Sequence, residues 1–291
     1  GYLNTFIGHT AGKLVASGTG NVIIGSRSFA AADGGESNNI MIGADVGTAI
    51  DHDDADNNIA IGNDAMTGGE AAMTKCIAIG GNAMNSTAAN APTGTIAIGY
   101  DALTSLTDGL YNIAIGYEAG NFATTTAAST FIGFQAGKGI TGTKLTGDNN
   151  TAVGNNAGLL MQGAAQQNTF VGSAAGDSVT TGSYNTAIGM GAGAAVVTNG
   201  FNTAVGRSAV SEGDCAANTG VGYEALKVST GGSNTAVGMQ AGVAVAAGAN
   251  NTCIGANAGD ALTTGDGNIV IGHNTATSAV GVDDEIIIGA A

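Results

Sequence analysis

The chain has 291 residues and a formal net charge of −15, with 51 glycines, one proline, no tryptophan, and 10% charged against 44% hydrophobic residues. Disorder needs low hydrophobicity with high charge density, and collagen needs glycine at every third residue with abundant proline, so both are excluded. An acidic surface repels phosphate backbones and anionic lipid heads, and no apolar run approaches the ~20 residues of a membrane span, so neither nucleic acid nor membrane insertion is expected.

A five-residue unit, Asn-Thr-Ala-Ile/Val-Gly in its commonest form, recurs along the whole chain. It ends at Gly8, Gly25, Gly43, Gly62, Gly80, Gly99, Gly116, Gly133, Gly154, Gly172, Gly189, Gly206, Gly222, Gly238, Gly255, Gly272 and Gly289. The spacing runs from 16 to 21 residues, too short for helix-containing repeats such as ankyrin. Dense glycine with β-branched positions opposes helix. The expected fold is all-β: one continuous parallel β-solenoid over residues 1–291, with about 17 coils and a predicted length of roughly 80 Å at ~4.8 Å per coil. Gly1 falls just ahead of a repeat and there is no initiator Met, as expected of a segment cut from something longer.

Each column has its own chemistry. The residue before the glycine is Ile or Val in all 17 units, and two positions earlier stands Thr, Ile or Val without exception. That spacing puts both on one face of a strand, and the interchange of Thr with Val and Ile predicts that this face is the buried one. The glycine suits a turn position with positive φ. The leading residue is Asn in 13 of 17 units, the exceptions being Cys76, Thr95, Ser129 and Glu285, so stacked amides are expected to bond from coil to coil. Ala stands three residues after the glycine in 13 of 16 units, usually followed by Gly, which suits a second, tightly packed face. The rest of each coil is rich in Gly, Ser, Thr and Asp and reads as loop.

The middle strand position runs Phe6, Ile23, Met41, Ala60, Ala78, Ala97, Ala114, Phe131, Ala152, Phe170, Ala187, Ala204, Gly220, Ala236, Cys253, Val270, Ile287, without one polar residue. With the flanking columns taken as core, this column faces outward, and an apolar outward column predicts packing against other copies of the chain. The alternative is a neutral, Ala-rich surface that stays wet.

The Asn-Thr-Ala-Ile-Gly unit followed by Ala-Gly, as in residues 185–193 and 251–259, resembles the head repeats of trimeric autotransporter adhesins. Similar repeats occur in phage tail fibres and other bacterial surface fibres. The resemblance implies a left-handed β-roll assembled as a parallel homotrimer. The coils here are longer and less even than in that family.

Outside the repeat, chemistry-bearing residues are scattered. His9, His52 and His273 lie in separate coils, no Ser/His/Asp set or His/Cys cluster has catalytic or metal spacing, and the acids form no recurring pair of the glycosidase kind. The expectation is no enzyme activity, no catalytic or metal site and no cofactor. The acidic run Asp51-His52-Asp53-Asp54-Ala55-Asp56 and the run Asp283-Asp284-Glu285 read as solvated loops or as Ca²⁺ loops that match no standard pattern. Cys76, Cys215 and Cys253 stand too many coils apart for intrachain disulfides. Tyr100, Tyr117 and Phe134, each just after a repeat glycine, form a ladder that either stacks on itself or presents a carbohydrate-stacking stripe, with Tyr223 in the same column.

These readings point to a structural, adhesive fibre segment outside the cell, on a bacterial surface or a virion. Its partners would be itself and a surface glycan or protein receptor. The rival reading is a monomeric ice-binding solenoid whose Thr column meets ice.

Overall fold

Each β-branched pentapeptide forms a strand of only three residues, because its two neighbours turn the backbone. In the computed structural model, which describes residues 1–69, 73–86 and 92–289, the residue before the pentapeptide has φ near +60° in every coil, from Leu3 to Asp284. The closing glycine has φ between 125° and 140° from Gly8 to Gly272. The five-residue unit therefore contributes only its central three residues to each strand.

The chain divides into two units, Gly1–Asn150 and Thr151–Ala291. The first holds β1 (Thr5–Ile7), β2 (Val22–Ile24), β3 (Ile40–Ile42), β4 (Ile59–Ile61), β5 (Ile77–Ile79), β6 (Ile96–Ile98), β7 (Ile113–Ile115) and β8 (Thr130–Ile132). The second holds β9 (Thr151–Val153), β10 (Thr169–Val171), β11 (Thr186–Ile188), β12 (Thr203–Val205), β13 (Thr219–Val221), β14 (Thr235–Val237), β15 (Thr252–Ile254), β16 (Ile269–Ile271) and β17 (Ile286–Ile288). Within each unit, sequential strands pair in parallel and in register, column on column, as in Thr186↔Thr203, Ala187↔Ala204, Ile188↔Val205. Each unit is thus a parallel β-solenoid, as the repeat predicts.

The columns face the opposite way from the sequence expectation. The middle residues from Ile23 to Val270 point into the coil and are buried, with Ala187, Ala204 and Ala236 at most 2% exposed. The flanking Thr/Ile/Val and Ile/Val columns are the outer ones: Ile188 is 40% and Val237 39% exposed. The reason is volume. A coil of about 17 residues encloses a narrow lumen with room for one side chain per strand rather than two, so the single middle residue goes inside and the flanking pair goes out.

Size compensation within the lumen supports this. Where the middle residue is Phe6, Phe131 or Phe170, the position four after the closing glycine is Gly12, Gly137 or Gly176. A Cβ on Gly137 would lie 2.2 Å from the Phe131 ring. Where the middle residue is Ala or Gly, that position can carry a large side chain instead: Met66, Met84, Leu103, Val210 and Leu226 are all fully buried. Their φ values lie between +48° and +52°, unusual for side-chain-bearing residues and most of all for β-branched Val210. The expected second face is therefore a stack of turns, with the repeated alanines buried in it.

The asparagine column works through the backbone. Asn168 Oδ1 accepts from the Asn185 N–H at 3.0 Å, and the same bond repeats through Asn202, Asn218, Asn234, Asn251 and Asn268 to Glu285. Each Nδ2 donates to a loop carbonyl of the next coil, as Asn202 does to Cys215 at 2.7 Å. The exceptions keep parts of this scheme: Thr95 Oγ1 and Ser129 Oγ accept from the next coil's Asn112 and Asn150 N–H, and Cys76 Sγ donates to the Pro92 carbonyl. Buried amides satisfied in this way lock adjacent coils in register.

Candidate interaction face

Turning the columns inside out leaves a two-rank face on the outside of every strand. In the first unit both ranks of β2–β7 are aliphatic, from Val22 and Ile24 to Ile113 and Ile115. In the second, β9–β15 read Thr-x-Val/Ile seven times in succession, from Thr151 and Val153 to Thr252 and Ile254. Most of these side chains are only half-buried. Alternation along the strand fixes their direction: with the middle residue inside, its neighbours point out.

Beside the Ile/Val rank runs the column after the glycine. Tyr100, Tyr117 and Phe134 stack there with ring centroids 5.7 and 5.4 Å apart and planes within 14°. Both faces of Tyr117 are covered by its neighbours, so the ladder is self-stacked, and a sugar cannot lie flat on that ring. Tyr223 does not extend the ladder and instead lies under the Arg207 guanidinium at 5.7 Å. A second pair, Tyr184 on Phe201 at 4.9 Å, stands in the positive-φ column before the asparagine. Nothing in the repeat consensus marked it, because that column holds residues of every type; two aromatics one coil apart were the available signal.

The isolated acids turn out to be fasteners. Asp214 Oδ1 accepts from the N–H groups of Val197, Thr198 and Asn199, and its Oδ2 from the Thr198 hydroxyl at 2.9 Å. Burial pushes this carboxyl up, but the Thr198 hydroxyl and the backbone donors outweigh it and hold the acid below its usual range. Asp53, Asp56, Asp266 and Asp283 each accept from a backbone N–H one coil earlier, so the two acidic runs are bonded rather than merely solvated. Glu118 is paired with Lys138; burial raises its carboxyl, and Lys138 and Gln135 bring it below the usual range.

The remaining candidates stay apart. His9, His52 and His273 are exposed, and His52 Nδ1 accepts from the Asp54 N–H. Cys76, Cys215 and Cys253 are free and buried, and burial pushes the Cys76 and Cys253 thiols up to about 11, which makes them poor nucleophiles. Among the described residues no helix is long and apolar enough to cross a membrane. Against known proteins, no family model, no curated sequence and no solved structure matches this chain.

Proposed function

We propose that this chain is a structural module of an extracellular fibre, and that it assembles through its outward strand face into a parallel homotrimer. The observation that supports this is the paired ranks of half-exposed aliphatic side chains over β2–β7, Val22 to Ile115, renewed at every coil. A periodic apolar face of this kind is best covered by another face of equal period, and a second copy of the same chain supplies one. Three-fold closure, left-handed winding and the adhesive setting rest on the resemblance to trimeric adhesin heads. The mechanism is mechanical: stacked hydrogen-bond ladders give stiffness, and the outward loops offer repeated weak contacts to a surface glycan or protein. No catalysis is assigned. Light scattering after size-exclusion chromatography tests the assembly: the wild type should elute at three times the 27.9 kDa chain, and Ile96→Lys with Ile113→Lys should elute as a folded monomer. A monomeric wild type would refute the reading.

A second reading is favoured by one observation, the outward rank of seven successive threonines in β9–β15. Regularly spaced hydroxyl and methyl groups suit binding to ordered water, as an ice-binding monomer requires. Thermal hysteresis in the wild type that is lost in Thr186→Leu with Thr203→Leu would support it.

A further inference from the structure

We infer that the first unit carries a divalent-cation site, selective for Ca²⁺, formed by Asp33, Glu36 and Asp51. Oxygens of these three carboxylates all lie within 4.8 Å of one another. That span fits a shell of Ca²⁺–oxygen distances of about 2.3–2.6 Å, and an all-oxygen, carboxylate-rich donor set suits a hard cation.

An acidic cluster is common on a surface this negative; Glu36 is what distinguishes this one. It is the only fully buried carboxylate among the described residues. Its Oε2 accepts from the Gly34 N–H at 3.1 Å, whereas its Oε1 is buried with no hydrogen-bond partner. No lysine or arginine pairs with Glu36 among the described residues. A buried anionic oxygen with two further acids beside it is strongly unfavourable unless a proton neutralises it or a positive charge sits among them. A cation bound between the three oxygens supplies that charge.

The loop is also held in place independently of any ion. The Glu36 carbonyl accepts from Asn21 Nδ2 at 2.7 Å, tying the residue to the buried asparagine column. Gly35 N–H donates to Asp53 Oδ1 and Ser37 N–H to Asp56 Oδ1, fastening this loop to the acidic loop of the next coil. Gly34 permits the approach, since a Cβ there would collide with the Asp53 carboxylate. Asp33 and Asp51 are exposed, which leaves room for water to complete the shell.

Calorimetric titration of the chelator-treated full chain with CaCl₂ should give one saturable site, and Ca²⁺ should raise the melting temperature over that in EDTA. MgCl₂ should bind at least tenfold more weakly. Glu36→Gln should abolish both effects while melting in EDTA at or above the wild-type temperature, because the uncompensated charge is gone. Asp51→Asn should weaken binding at least tenfold and serves if Glu36→Gln does not fold; Asp283→Asn should bind as the wild type does. No saturable heat, equal melting in Ca²⁺ and EDTA, or wild-type binding by Glu36→Gln or Asp51→Asn would overturn the site. Magnesium binding as tight as calcium would overturn the selectivity.

Discussion

The two units share one backbone scheme and solve its side-chain problem differently. In Thr151–Ala291 the solution is uniform: every leading residue from Asn168 to Asn268 is Asn, and the outward rank is Thr in seven successive strands. In Gly1–Asn150 it is mixed. Cys76, Thr95 and Ser129 replace Asn, and the outward rank is Val or Ile from β2 to β7. What stays constant is what geometry requires: one inward residue per strand, an acceptor or donor at the leading position, and a glycine at the strand end. Outward chemistry is free to vary, so the two faces can serve different contacts.

The largest expected effect tests the shared part. Ala114→Glu in the first unit and Ala204→Glu in the second each place a carboxylate in a closed lumen, at about 3–5 kcal/mol. Both should lose cooperative thermal unfolding by circular dichroism, whereas Thr203→Glu, one residue away but outward, should melt near the wild type. Equal loss at Thr203 and Ala204 would undo the inside-out assignment of the columns.

Next comes the strand-ending glycine. A Cβ on Gly189 would meet the Gly206 carbonyl carbon at 2.7 Å, and its φ of 130° is disfavoured for any side chain. Gly189→Val should therefore cost about 1–3 kcal/mol in denaturant unfolding. An unchanged midpoint would mean that the coil relaxes around the new side chain.

The faces themselves differ by a smaller margin. Ile113→Thr in the aliphatic stretch should weaken assembly by about 1 kcal/mol per chain, and Thr203→Val in the threonine stretch should leave it equal or slightly stronger. Sedimentation equilibrium measures both. If the threonine substitution weakens assembly more, the second unit carries the interface.

Acid sensitivity is the finest distinction. Asp214 and Glu118 are held below the usual carboxylate range, so their stabilisation is complete above the unfolded value of about 4 and is lost as pH falls through the lower, folded value. Asp214→Asn should lower the melting temperature at neutral pH by on the order of 1–3 °C, with the gap to wild type closing in acid. Glu36 has the reverse sign: burial raises its carboxyl, so protonation stabilises the cation-free chain, and Glu36→Gln should remove that gain on acidification.

The period, the parallel stacking and the glycine turns were all legible in the sequence, because each repeats with a fixed chemical reason. The direction of the columns was not. Hydrophobicity ranks Ile and Val above Ala, which assigns the core to the bulkier pair, but a narrow coil selects by volume. The clue was present in the inverse pairing of Phe131 with Gly137 and of Ala97 with Leu103. The Asp33–Glu36–Asp51 cluster was hidden for a different reason. It spans two coils, and only the depth of Glu36 separates it from the other acids; depth cannot be read from a loop's composition.

Register locking also bears on how such a chain changes length. Every coil presents the next with the same columns, so excising residues 190–206 joins Gly189 to Arg207 and leaves a complete strand, turn and asparagine stack on either side of the junction. Unequal recombination between repeats, or slippage while copying them, would yield shorter and longer descendants that fold by the same rules. Length is then a heritable trait that selection can tune in steps of one coil, without a new core being invented each time.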